Sequence, residues 1–394
     1  MSDTALLAVL LAGVAGVLAG RAWAAALRQG ERDRAGYRAS PHYAQGLHYL
    51  AAGHPELAAS ELAKVAREDP GAVEVLQVLG SLQREIGQVE RAIQTHQSLL
   101  ARRDLTRAER AQALASLGAD FRRAGFLDRA SRTFDEALAA DPRNVQALIE
   151  LQKLQEEQRQ WSEAYRLRTR LSRLRKSDDS LVLGYLQAEI GREALAAGDR
   201  EGAQKAFATA LALDRRVFPA HLGMADLHLG RDPARAVAIL EEAMAVAPER
   251  AYLAFTRLAR AYEDCGQRAR FAEACERMIR DDPRDWRARV ALAAHLRAQG
   301  KHEEAFGLLQ RAVEVNPHAL AAHLESWRAL DRLGMSRPAV ERYLATAERS
   351  VFYRDPHICT ACRYRADDML WRCPHCHEWN TFVEERVGPA AAPA

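Results

Sequence analysis

The stretch GADFRRAGFLDRASRTFDEALAADP, residues 118–142, decides the fold. Small residues stand at Gly118, Gly125, Ala130 and Ala137, large ones at Phe121 and Phe134, and Pro142 closes the phrase. The phrase returns along the chain. Upstream it reads Gly46, Tyr49, Gly53, Ala58, Leu62, Val65 and Pro70, and 34 residues after Gly46 it resumes as Gly80, Gly87, Ala92 and Leu99. Downstream copies carry Gly191, Gly198, Ala203, Phe207 and Ala210, then Gly223, Ala236, Leu240, Ala243 and Pro248. Two more read Tyr262, Gly266, Cys275, Met278 and Pro283, and Leu296, Gly300, Ala305, Leu309, Ala312 and Pro317.

The period and residue types resemble the tetratricopeptide repeat. The resemblance implies an all-α solenoid of paired helices. Small residues let the two helices of a unit approach, large residues fill the gap to the next, and proline ends the second helix. No unit buries its apolar face alone, so stacking supplies the core. We count about nine units over residues 39–350, the fourth and ninth weak. The fourth, near 145–178, has Gln152 and Arg159 where glycine is usual. The 38 residues from Gly80 to Gly118 place an insertion around 104–106.

First helices line the concave side of such arrays, and Arg84, Arg122, Arg192, Arg260 and Arg297 fall at inward positions. They read as a partner groove for an acidic or carboxylate-bearing segment. The plainer reading is a set of solvated arginines, since 56 basic and 53 acidic residues nearly cancel. That balance also gives no case for nucleic acid. RLRTRLSRLRK (166–176) reads as a solvated face over Leu167, Leu171 and Leu174. Cys275 takes a second-helix core position as a small hydrophobe. The sequence has no phosphate loop, nucleophile elbow or other catalytic constellation, so no enzyme is expected.

The ends differ from the array. TALLAVLLAGVAGVLAG (4–20) is uncharged, and AWAAAL extends it to residue 27 if Arg21 snorkels. It reads as a transmembrane anchor over residues 1–27, meeting the lipid bilayer through residues 4–27, with 28–38 as a juxtamembrane linker. Arg28, Arg32, Arg34 and Arg38 follow it, so the positive-inside bias predicts a single-pass protein of a bacterial inner membrane. The repeats then lie on the cytoplasmic side. Gly16 and Gly20 offer a small-residue face for pairing into a homodimer.

At the other end, HICTACRYRADDMLWRCPHCHEWNTF (357–382) holds two Cys-x-x-Cys pairs, Cys359 with Cys362 and Cys373 with Cys376. This spacing aims four thiolates at one zinc or iron ion in a closed tetrahedron, a structural and not a hydrolytic site. The metal-binding module spans 351–383 and the tail 384–394. Leu370, Trp371, Trp379 and Phe382 are expected to cover the ion and dock on the last repeat. Knuckles of the rubredoxin type usually place glycine after the second cysteine. Arg363 and His377 stand there, which puts the usual rubredoxin geometry in doubt.

Anchor, repeat array and rubredoxin-like module in that order resemble the lipopolysaccharide assembly protein B family of Gram-negative bacteria. LWRCPHCHEW, HYAQGLHYLAAG and LGSLQREIGQVERAIQTHQSLL carry the likeness residue by residue. The resemblance implies an inner-membrane adaptor without enzymatic activity. Such an adaptor presents the deacetylase LpxC to the membrane protease FtsH and so restrains lipopolysaccharide synthesis. It is itself restrained by the lipopolysaccharide-sensing membrane protein YejM, also called PbgA. The resemblance also implies Cys359, Cys362, Cys373 and Cys376 as metal ligands. A general envelope-assembly scaffold and a rubredoxin-like electron carrier are the alternative readings.

Overall fold

The computed structural model describes residues 36–316, 319–334 and 357–385. Two compact units divide the chain. One holds the described residues up to Gln160 together with Arg173–Arg175; the other holds Trp161–Ser172 and the described residues from Lys176 onward. After a 3-10 turn at Gly36–Ala39, the first unit holds α1 (Pro41–Ala51), α2 (Pro55–Glu68), α3 (Val73–Glu85), α4 (Val89–Leu100), α5 (Arg107–Arg123), α6 (Leu127–Ala140) and α7 (Val145–Glu157). α8 (Trp161–Arg175) begins the second unit. There follow α9 (Ser180–Ala196), α10 (Arg200–Leu213), α11 (Phe218–His228), α12 (Pro233–Val246), α13 (Phe255–Asp264), α14 (Arg268–Asp281), α15 (Trp286–Ala298), α16 (His302–Val315) and α17 (Leu320–Arg332). A second 3-10 turn, Pro248–Leu253, joins α12 to α13.

Within each unit the helices pack as successive pairs, and the small-plus-large phrase is the reason. A Cβ built on Gly118 in α5 would lie 2.6 Å from the Phe134 ring of α6, and one on Gly191 in α9 would lie 2.6 Å from Phe207 of α10. Both rings are buried, so glycine at these positions is what lets the paired backbones close. The second pair departs from this. His96 fills the slot over Gly80, and its Nδ1 meets Asp120 of the following pair. Asp120 also accepts from Arg84, giving a buried polar knot where other pairs use an apolar side chain.

Turns inside the pairs use left-handed backbone. At Gly125, φ is +82°, and the Phe126 N–H returns to the Phe121 carbonyl at 2.9 Å, closing the end of α5. In the fourth copy Arg159 adopts the same conformation at φ +57°, with Gln160 N–H on the Gln155 carbonyl. The insertion at 104–106 ends in a capping box, in which Thr106 and Glu109 satisfy each other's backbone at the start of α5.

The anchor expected at 4–27 lies outside the described residues. Among the described residues no helix is long and apolar enough to cross a membrane. The placement as a single-pass inner-membrane protein with cytoplasmic repeats is corrected on that finding. The longest described helices, α5 and α9, are 17 residues each and carry charged side chains.

The C-terminal module is a three-stranded antiparallel sheet in the order β2-β1-β3, made of β1 (His357–Cys359), β2 (Arg365–Ala366) and β3 (Phe382–Glu384). His357 pairs with Ala366 on one side and Glu384 on the other, and Cys359 pairs with Phe382.

Candidate metal centre

Two turns of the same construction bring the cysteines together. In the first, Cys359 N–H donates to the Tyr364 carbonyl (2.9 Å) and Arg363 N–H to the Cys359 carbonyl (2.9 Å). In the second, Cys373 N–H donates to the Glu378 carbonyl (2.9 Å) and His377 N–H to the Cys373 carbonyl (3.0 Å). The doubt raised by the missing glycines is resolved: Arg363 (φ +65°) and His377 (φ +64°) take the left-handed conformation despite their side chains. Both knuckles form.

The four Sγ atoms all lie within 4.8 Å of one another. Cys359 and Cys376 are 3.6 Å apart, as are Cys362 and Cys373. An ion bonded to four sulfurs at about 2.3 Å needs edges of about 3.8 Å, so the set fits one tetrahedral thiolate-bound cation. Its electrostatics agree with that fit. Burial raises the Cys359 thiol, but the Thr381 hydroxyl and the backbone N–H groups of Cys362 and Ala361 outweigh it and hold Cys359 at about 6. Burial and the neighbouring sulfurs push Cys376 up to about 12. Without a cation the cluster resists carrying four negative charges; with one the resistance is removed. The donor set suits one ion and does not distinguish zinc from iron.

The expected aromatic cover divides into two roles. Phe382 is buried with Cys359 and Cys373, and Leu370 packs against them. Trp371 and Trp379 turn outward instead, and they meet the first helices of the second unit and not the last pair. Trp379 stacks on Tyr185 of α9 and meets Trp161 of α8 edge-on at 6.2 Å. Trp371 lies 5.9 Å from Tyr185 and 6.3 Å from Phe218 of α11. Arg250 covers Trp371 at 5.5 Å and donates to the Tyr185 hydroxyl, which donates to Asn380 at 2.7 Å. Burial raises the Tyr185 phenol, so it stays protonated for that bond. Two further links complete the seat: Tyr252 with His357 Nε2 at 3.2 Å, and the ion pair of Arg287 with Glu384.

Tyr185, Arg250, Arg287 and Asn380 escaped the sequence reading. Their spacing carries no motif, since what unites them is a surface that exists only once the module has folded back. The tryptophan pair was the one legible hint.

The five arginines divide between the two units. Arg84 and Arg122 line a cavity of 470 Å³ in the first unit with Arg123, Glu150 and Glu157. Arg192, Arg260 and Arg297 belong to the second unit. Each of the five faces a carboxylate of this chain. Arg84 meets Asp120 at 2.7 Å, Arg122 bridges Glu150 and Glu157 at 2.6 Å each, and Arg297 meets Glu325 at 3.0 Å. Arg192 pairs with Glu189, and Arg260 comes within 4.0 Å of Asp264. On α8, Leu167 and Leu171 are buried while Arg166 and Arg168 pair with Glu163 and Asp179. Cys275 is buried, as its helix position implied.

Comparison with known proteins agrees with this architecture. Residues 357–384 match the rubredoxin metal binding domain, and residues 43–105 and 256–322 match the tetratricopeptide repeat. Lipopolysaccharide assembly protein B of Escherichia coli (strain K12) is 26% identical over 365 residues, covering 90% of this chain and 92% of that protein. The chain is similar to lipopolysaccharide assembly protein B over nearly its whole length. The protein of that name from Haemophilus influenzae is 24% identical over 314 residues, covering 77% of each chain. The likeness therefore takes in the helix pairs as well as the metal module.

Proposed function

We propose that this protein is a non-enzymatic adaptor in lipopolysaccharide assembly, in which the helix pairs hold a client and the metal module braces them. Cys359, Cys362, Cys373 and Cys376 hold one ion, whose chemistry is to fold the module and not to turn over a substrate. The client is the deacetylase LpxC, the acceptor is the protease FtsH, and YejM/PbgA restrains the exchange. The observation that carries this reading is the nearly full-length likeness to lipopolysaccharide assembly protein B, joined to a site closed by four thiolates. An array of stacked helix pairs offers extended binding faces without a catalytic cleft.

The test is the half-life of LpxC in cells lacking the family protein, with and without this chain. Restored turnover supports the adaptor. A half-life that ignores the chain, with lipopolysaccharide levels still corrected, replaces the adaptor with a general assembly scaffold.

A further inference from the structure

The four sulfurs are not equivalent. Cys359 is fully buried, and its Sγ lies 3.1 Å from Thr381 Oγ1. Among the described residues Cys362 and Cys376 meet other sulfurs of the cluster and the backbone N–H groups of Tyr364 and Glu378, with no side-chain hydroxyl among their hydrogen bonds. A metal-bound cysteine is a thiolate and has no proton to give, so the direction of this bond is settled: the Thr381 hydroxyl donates.

Thr381 is also fixed from two sides. Its carbonyl accepts from Thr360 N–H at 2.8 Å and from the Thr360 hydroxyl at 3.2 Å, which ties it to the first knuckle. Its neighbour Asn380, left-handed at φ +59°, donates its N–H to the Trp371 carbonyl and accepts from Tyr185 of the array. The hydroxyl therefore reaches Cys359 from a backbone clamped between the sheet and α9.

We propose that Thr381 is a positioning residue for the metal, its hydroxyl drawing charge from the Cys359 thiolate and so weakening what that sulfur gives to the ion. The proposal rests on the reading of the four cysteines as ligands. A hydrogen bond to a ligating sulfur stabilises the less charged state of the ion, because less positive charge then has to be met by sulfur donation. One of four otherwise similar ligands is tuned, and the array contributes by holding the segment that tunes it.

The test uses the full chain loaded with cobalt(II) and, separately, with iron, comparing wild type, T381V and T381S. The readouts are the energy of the sulfur-to-metal charge-transfer bands and the one-electron Fe(III)/Fe(II) potential. T381V is expected to move the bands to lower energy and to favour Fe(III) about tenfold, a fall of about 59 mV. T381S is expected to restore both values. Unchanged bands and potential in T381V, or T381S behaving as T381V, would overturn the role of the hydroxyl while leaving the metal site standing. A wild-type chain that takes up neither ion overturns the ligand reading and the inference together. Should T381V fail to load, T381A carries the same comparison.

Discussion

Trp379 stacks on Tyr185 with ring centroids 5.7 Å apart and planes 25° from parallel. One ring comes from the metal module and the other from α9, and Trp161 closes the far side. Removing Trp379 takes away two of the ring contacts of that seat while leaving all four cysteines in place. Truncating a packed tryptophan costs about 3 kcal/mol or more. Trp379→Ala should therefore keep its metal but lose the seat, seen as faster amide exchange around Tyr185 and Asn380 at unchanged metal content. Equal exchange in variant and wild type would mean that the stacked rings do not hold the module.

Arg363 and His377 occupy left-handed backbone that costs a side-chain-bearing residue about 1–2 kcal/mol, of which glycine's freer unfolded chain takes back up to about 1. The module's folding is linked to its ion, so relieving the strain should appear as tighter metal binding. Arg363→Gly and His377→Gly should each raise zinc affinity roughly twofold to fivefold in competition with a chromophoric chelator, about 0.4–1 kcal/mol. Weaker binding in both would show that the side chains stabilise the knuckles more than their backbone strains them.

How much of this was readable beforehand follows from the range of the signals. Gly118 with Phe134, and Gly191 with Phe207, were legible because a repeat states the same local contact many times over. Cys359 through Cys376 were legible because two ligands two residues apart define a turn by themselves. The docking surface was not. Tyr185 and Asn380 are 195 residues apart, and although Trp379 beside Asn380 hinted at a contact, nothing around Tyr185 announces a partner. The ion pairs of Arg84, Arg122 and Arg297 were hidden for a related reason: position on a first helix can be read from the period, but the carboxylate opposite belongs to another helix. The knuckle glycines misled differently, since a residue preference was taken for a requirement that Arg363 and His377 evade.

Two glycines in helices should respond to alanine with opposite sign. At Gly118 a Cβ would press on the buried Phe134 ring, and overpacking costs about 1–3 kcal/mol against roughly 1 gained in helix propensity. At Gly307 in α16 nothing lies within 4 Å of the new atom, so only the propensity gain of about 1 kcal/mol remains. Urea unfolding should show Gly118→Ala lowered and Gly307→Ala raised in midpoint. Two shifts of the same sign would contradict the close approach of α5 and α6.

The Cys275 thiol gives a pH dependence of known sign. Burial, with smaller contributions from Asp285 and Glu276, raises it from 9.0 to about 12. The native state therefore holds this proton more tightly than the unfolded chain does. The associated stability is complete below pH 9 and falls as pH rises from 9 towards about 12, because the unfolded thiol ionises there and the native one does not. Cys275→Ala removes the linkage at the expense of a small cavity, lowering stability at pH 7 but flattening its decline above pH 9. Urea midpoints for both proteins at pH 7, 9 and 10 measure the difference. Parallel curves would show that the thiol ionises as readily in the folded chain as in the unfolded one.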